Sequence, residues 1–252
     1  MSTSAFSLAE WPAVGEGGVT ALRRETKYAL PRSDAGKVRA ILEANCRAVA
    51  YAGPVSCVNS IYFDDVRLSG CDENIEGVGR RTKVRLRWYD SPYPNGGLFF
   101  EVKRRRGVLT SKERYLLRND VPLGVLSYRQ IVRDLGHVLP DGARELLRAR
   151  PCPVVLIEYQ RRHYASPDGA ARLTLDQAVR FHDQCGRVQP SRAFGRALDD
   201  LVILEVKTPP GAEEAIARLL HPLRLRVTKS SKYVQCCQGL AASTGAQTAC
   251  LR

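Results

Sequence analysis

No run of about 18 apolar residues occurs anywhere in the chain, which argues against a membrane-spanning helix. Residues 1–20 hold Glu10, Trp11 and several glycines but no apolar core segment, so no secretory signal is evident. Histidine is scarce: the four present, His137, His163, His182 and His221, show no HxH or HExxH spacing, and a zinc site has little support. Eight cysteines include no CxxC pair, and only Cys236 and Cys237 are adjacent. Reduced structural thiols in a cytoplasmic protein are therefore expected. There is no internal repeat and no low-complexity tract. Aromatic residues make up only 7%, few for a nucleic-acid binder that stacks bases between basic side chains.

What the chain does have is positive charge. Lys and Arg number 39 against 26 acids, a net +13 over 252 residues. That excess points to a polyanionic partner. The stretch RTKVRLRWYD places Arg81, Lys83, Arg85 and Arg87 at alternate positions, with Thr82, Val84, Leu86 and Trp88 between them. In a strand, one face would be cationic and the other largely apolar.

Residues 1–19 read as a flexible leader. A strand pattern begins at Ala21 and closes at Pro31, and SDAGKVRAILEANCR reads as a helix capped by Ser33 or Asp34. VSCVNSIYFDD is β-rich, and a turn-prone segment follows around Gly70 to Gly79. Three strand patterns come next, RTKVRLRWYD, GLFFEVKRRRG and LTSKERYLLR. Residues 121–149 read as two helices broken near Pro140. PVVLIEYQRRHYAS, ARLTLDQAVRF and LVILEVKTP are strands, GAEEAIARLL is a short helix, and LRLRVTKSSKYVQ is a last strand running into a turn. The sum is an α+β fold around a sheet or barrel of about eight strands.

The charge alternation recurs. Glu25 and Lys27 share a strand face with Arg23; Glu101 and Lys103 share one with Arg105; Lys112 aligns with Arg114; Glu205 aligns with Lys207. Three strands thus carry Glu-x-Lys. Solvated outer faces would account for any one of them. All of them together fit a closed barrel with its charged face inward and its apolar face covered by helices. Such a lumen suits phosphates, because arginine forks grip phosphate oxygens bidentately. Glutamates among them suit a divalent ion, magnesium or manganese, bridging carboxylate and phosphate.

In order, RRETKYALP, NSIYFDD, RTKVRLRWY, FFEVKRRRG, EYQRRHY, LTLDQAV, ILEVKTP and SSKYV resemble the vacuolar transporter chaperone (VTC) domain of the triphosphate tunnel metalloenzymes, over roughly residues 20–240. The resemblance implies an eight-stranded antiparallel tunnel flanked by helices, and a polymerase that moves the terminal phosphoryl group of ATP onto inorganic polyphosphate with Mn2+ or Mg2+. Residues 241–252 are then a C-terminal tail. By motif, Lys27, Arg85, Arg87, Lys103, Lys112 and Arg161 would hold phosphates. Tyr159 would hydrogen-bond one, and Lys229, Ser231 and Lys232 would contact the triphosphate near one mouth. Arg85, Arg87, Lys103, Arg161 and Glu205 would carry catalysis. Glu205 would be the main metal ligand, with Glu25 and Glu101 on the same ion and Asp176 a weaker candidate. A triphosphatase or nucleotide cyclase, or a non-catalytic module binding polyphosphate, pyrophosphate or inositol phosphates, stays open as an alternative. Neither a nucleic-acid partner nor a membrane span is expected.

Overall fold

The computed structural model describes residues 4–8, 24–51, 53–94, 97–107 and 109–243. Along the chain run β1 (Phe6–Leu8), β2 (Arg24–Leu30), α1 (Ala35–Asn45), β3 (Arg47–Val49), β4 (Ser56–Asp64), α2 (Ser69–Ile75), β5 (Arg80–Tyr89), β6 (Leu98–Arg106) and β7 (Leu109–Asn119). They continue with α3 (Tyr128–Val138), α4 (Asp141–Ala149), β8 (Cys152–Ala165), β9 (Arg172–Asp183), β10 (Arg196–Ala197), β11 (Val202–Thr208), α5 (Glu213–Leu220) and α6 (Lys232–Ser243). Strand Phe6–Leu8 falls within the expected leader; it pairs with Leu117–Asn119 of β7 and buries Phe6. Residues 9–23, including Arg23 and the expected strand start at Ala21, lie outside the described residues, as do 244–252.

All eleven strands join one antiparallel sheet in the order β1-β7-β6-β5-β4-β8-β9-β11-β2, with β3 on β8 and β10 on β9. The expected closed eight-stranded tunnel differs here. Among the described residues the ladder ends at β1 and β2 and does not close. The sheet nevertheless curls until β2 faces β6, where the Lys103 ammonium lies 3.3 Å from the Glu25 carboxylate. This ion pair ties β2 to β6 across the concave face, while β6 keeps its backbone ladders with β5 and β7.

The period-two pattern decides which face turns in. On β4 to β7, Ile61, Phe63, Val84, Leu86, Trp88, Phe100 and Val102 form the outer surface, packed against Ile131, Leu135, Ala143 and Leu147 of α3 and α4. On β9 and β11, Leu173, Leu175, Leu204 and Val206 pack under Val38 and Leu42 of α1 and Ile216 and Leu220 of α5. Each such side chain contributes about 1.5–3 kcal/mol on burial, which fixes the strand register and so aims the intervening charges into the concave face. The inversion expected from the sequence, apolar outside beneath helices and charged inside, is present.

Helix α3 starts at Ser127, whose hydroxyl accepts from the Gln130 backbone while the Gln130 side chain accepts from the Ser127 backbone. Leu139, ahead of Pro140, is extended and separates α3 from α4. Two expectations are corrected. The Gly70–Gly79 segment begins as helix α2, because the Asp64 carboxylate of β4 accepts from the backbone of Gly70 and Cys71 at 3.0 Å each. The last expected strand is only a single bridge, Tyr28 with Val227, before the chain turns into α6. Cys46, Cys57, Cys71, Cys236 and Cys237 are free thiols.

Candidate active site

Strand β5 supplies the centre. Lys83, Arg85 and Arg87 project from the concave face, opposite the fully buried Val84, Leu86 and Trp88. Antiparallel pairing sets Arg85 against Tyr62 on one side and Glu101 on the other, and sets Lys83 against Lys103. The Arg85 guanidinium donates to Glu101 Oε2 through Nε at 2.7 Å, and to Tyr62 Oη at 2.7 Å. Arg87 is 6% exposed and donates to Ser60 Oγ at 3.1 Å and Tyr159 Oη at 3.2 Å. Burial opposes the Arg85 charge, but the field of Glu101 outweighs it.

Glu101 is the hub of this half. Only 2% exposed, it lies 2.8 Å from Lys112 Nζ, 3.2 Å from Arg114 Nε and 3.9 Å from Arg87 Nη1, in addition to Arg85. Burial alone would raise its pKa, yet these cations hold it far below the usual carboxylate range. Burial in turn pushes Lys112 down to about 8 despite Glu101.

The other half is built around Glu205 on β11. Its carboxylate lies 2.9 Å from Lys207 Nζ and 3.5 Å from Lys27 Nζ. Lys27 also bonds Glu25 at 3.0 Å, so one ammonium serves two carboxylates. Burial works against the Lys27 charge, but Glu205 and Glu25 carry its pKa above the ordinary lysine value. Beside them Arg161 donates twice to the fully buried Asp176, at 2.6 and 2.7 Å, and Lys232 reaches the same carboxylate at 2.5 Å. Those two cations overcome burial and hold Asp176 down at about 2. The Tyr159 ring lies beneath both cations, 5.3 Å from the Arg161 guanidinium and 4.6 Å from the Lys232 ammonium. It stands at a bulge, where β8 and β9 change register and Ala178 takes a positive φ of 53°.

Of the residues expected from the sequence, Lys27, Arg85, Arg87, Lys103, Lys112, Tyr159, Arg161, Ser231, Lys232, Glu25, Glu101 and Glu205 meet on this face or at its rim. Lys229 is exposed and makes no ion pair among the described residues. No group of three or more His, Cys, Asp or Glu able to hold a metal occurs among the described residues. Glu101 is saturated by cations, and Asp176 is taken by Arg161 and Lys232. Glu25 and Glu205 face one another across Lys27.

One participant was missed. Lys83 donates to Ser231 Oγ at 2.8 Å and stands among Lys27, Lys103, Arg85 and Arg81. Burial first, and then those like charges, push it down to about 7. Its place in the alternation beside Arg85 and Arg87 was the available signal.

These residues build a curled antiparallel sheet with a cation-rich concave face. The chain matches the VTC domain over residues 22–241 and belongs to that family. No curated protein is similar enough to count as a match. Among solved structures, the PH1819 protein from Pyrococcus horikoshii OT3 is 14% identical, with 88% of this chain and 99% of that one covered and a TM-score of 0.45. HpAC1 from Hippeastrum, an adenylyl cyclase by name with a dominant triphosphatase activity, is 15% identical, with 91% and 99% covered and a TM-score of 0.45. At those values neither likeness carries an argument about this chain. No helix among the described residues is long and apolar enough to cross a membrane.

Proposed function

We propose that the concave face holds the phosphates of ATP and of inorganic polyphosphate, and transfers the terminal phosphoryl group of ATP onto the polyphosphate end. The observation that carries this reading is the excess of cations over carboxylates on the concave face. Lys27, Arg85, Arg87, Lys103, Lys112, Arg161, Lys207 and Lys232 converge on four carboxylates, Glu25, Glu101, Glu205 and Asp176, and Lys83 stands among them bonded to Ser231. Membership of the VTC family supports the same reading.

The acceptor in polymerisation is a phosphate oxygen that is already ionised, so no side chain has to abstract a proton. The barrier is repulsion between two anions, and preorganised cations lower it without reorganising during the reaction. Arg85 and Arg87, locked by Glu101, Ser60 and Tyr159, present planar forks to phosphate oxygens. Lys103 and Lys112, more exposed, neutralise the chain farther along. Glu205 and Glu25 would hold Mn2+ or Mg2+, which supplies Lewis-acid stabilisation of the phosphoryl oxygens when bound.

The test is incubation with ATP and Mn2+, following products by phosphorus NMR and a polyphosphate gel, with Glu205→Gln in parallel. Long-chain polyphosphate with ADP, reduced at least 100-fold in Glu205→Gln, is expected. Orthophosphate alone would make the protein a triphosphatase, and pyrophosphate with a cyclic nucleotide would make it a cyclase. Binding without turnover would leave a polyphosphate-binding module.

A further inference from the structure

Where β5 begins and β6 ends, four successive cross-strand pairs read Lys83 with Lys103, Thr82 with Arg104, Arg81 with Arg105, and Arg80 with Arg106. Seven of these eight positions are cations and none is an acid. Like charges directly opposite one another across strands are destabilising, so this end of the hairpin is electrostatically costly in the empty protein. Lys83 and Lys103 belong to the concave site already described. Arg80, Arg104 and Arg106 do not: they share the parity of Val84 and Val102 and so lie on the outer face.

On that outer side the strand ends, α2 and α4 enclose a cavity of about 330 Å3, lined by six arginines and one carboxylate, Glu73. Its size falls in the range of small-molecule sites, about 300–1,000 Å3. Few of the arginines are neutralised. Arg104 pairs with Glu113. Arg81 and Arg105 donate to the carbonyls of Val78 and Gly107. Arg80 and Arg106 have no ion-pair or side-chain hydrogen-bond partner among the described residues. Arg150 comes from the end of α4 with its side chain 14% exposed; it lies 3.5 Å from Glu73 and 3.7 Å from Asp64, and its Nε makes no hydrogen bond.

We infer that this rim cavity is a second oligophosphate site, distinct from the concave face, in which Arg80, Arg106 and Arg150 bind phosphate groups. Arginine forks with unused donors match phosphate oxygens in geometry as well as charge. A bound polyanion would remove the like-charge repulsion along the hairpin, and the concentration of one sign in a concave pocket focuses the field that attracts it. This goes beyond the proposed reaction and does not depend on it. Because Arg81 and Arg105 line the same cavity from the concave side, the phosphates could come from a free small anion or from a polyphosphate chain passing over the rim.

The test is calorimetric titration of the full chain with tripolyphosphate at ~150 mM salt, where surface attraction beyond about 8 Å is screened. Arg80→Gln/Arg106→Gln is compared with wild type; both side chains are exposed and removing their repulsion cannot destabilise the hairpin, so a melting temperature no lower than that of wild type serves as the folding control. Two tripolyphosphates per wild-type chain and one per double variant are expected. One in wild type and none in the variant would keep the rim site and sink the concave-face reading instead. Equal stoichiometry and affinities within twofold in the two proteins would overturn the rim site. Long-chain polyphosphate distinguishes the sources. One chain per protein, bound at least tenfold more weakly by the variant, marks a chain crossing the rim, whereas two chains per protein mark separate sites.

Discussion

Lys83, 2.8 Å from Ser231 Oγ, stands among four other cations and has no carboxylate within ion-pair distance among the described residues. Its pKa in the folded protein, about 7, is below the ~10.4 of an unfolded chain. The unfolded state therefore binds more protons between those values, and by linkage stability rises with pH across that window. The ammonium is costliest below about pH 7, and a bound phosphate removes the cost. Tripolyphosphate binding at pH 8.5 should then take up protons, read as a dependence of the binding enthalpy on buffer ionisation heat. Lys83→Met should lower that uptake by up to one proton; equal uptake in the two proteins would rule out Lys83 as the acceptor. Asp176 gives the opposite sign. Its pKa is held down at about 2, so its contribution is present above the unfolded value of ~3.9 and is lost as pH falls from about 4 to 2. Asp176→Asn leaves Arg161 and Lys232 short of their counter-charge and should cost ~3 kcal/mol or more in urea unfolding at pH 7, where a loss under ~1 kcal/mol would contradict the buried-pair assignment. At this scale much was legible, because alternation in a strand aims side chains unambiguously. The mutual neutralisation of Glu101 by four cations was not, since it depends on cross-strand register, and so the carboxylate best placed for an ion could not be told from the one already spent.

The elements hold the site by a few specific ties. Helix α6 lies over the concave face with Tyr233 stacked on Tyr62, centroids 4.9 Å apart and 12° between planes, and its hydroxyl donates to Asp64 Oδ2 at 2.6 Å. Asp64 also caps α2, so one carboxylate at the end of β4 fastens two helices. Tyr233→Phe removes a buried donor to a charged acceptor and should cost about 1.5–3 kcal/mol, measured by denaturant unfolding. A change below ~0.5 kcal/mol would mean that the tie is not structural. Sequence alone misread this element. SSKYVQ carries a β-branched and an aromatic residue that favour a strand, and nothing local announces that their partners are Asp64 and Tyr62, far earlier in the chain. The helices α3 and α4, with a capping box and a Pro break written into the sequence, were legible for the converse reason: their signals are local.

For the whole molecule, the net charge of +13 includes a concave face locked by ion pairs and a rim where arginines face one another. The curl of the sheet was readable only in part. Helices between strands implied a covered outer face, but an ion pair reaching from β2 to β6 across the concave face is a long-range outcome that no local pattern encodes. The central claim is that the concave cations form an oligophosphate site. Its most direct test is the dissociation constant of tripolyphosphate at ~150 mM salt, compared between Arg80→Gln/Arg106→Gln and the same protein carrying Arg85→Ala/Arg87→Ala as well, so that the rim is silent in both. Loss of two buried forks, each a charge-assisted contact worth ~1.5–3 kcal/mol, should weaken binding at least 100-fold. An affinity within threefold in the two proteins, with both folded by circular dichroism, would contradict it.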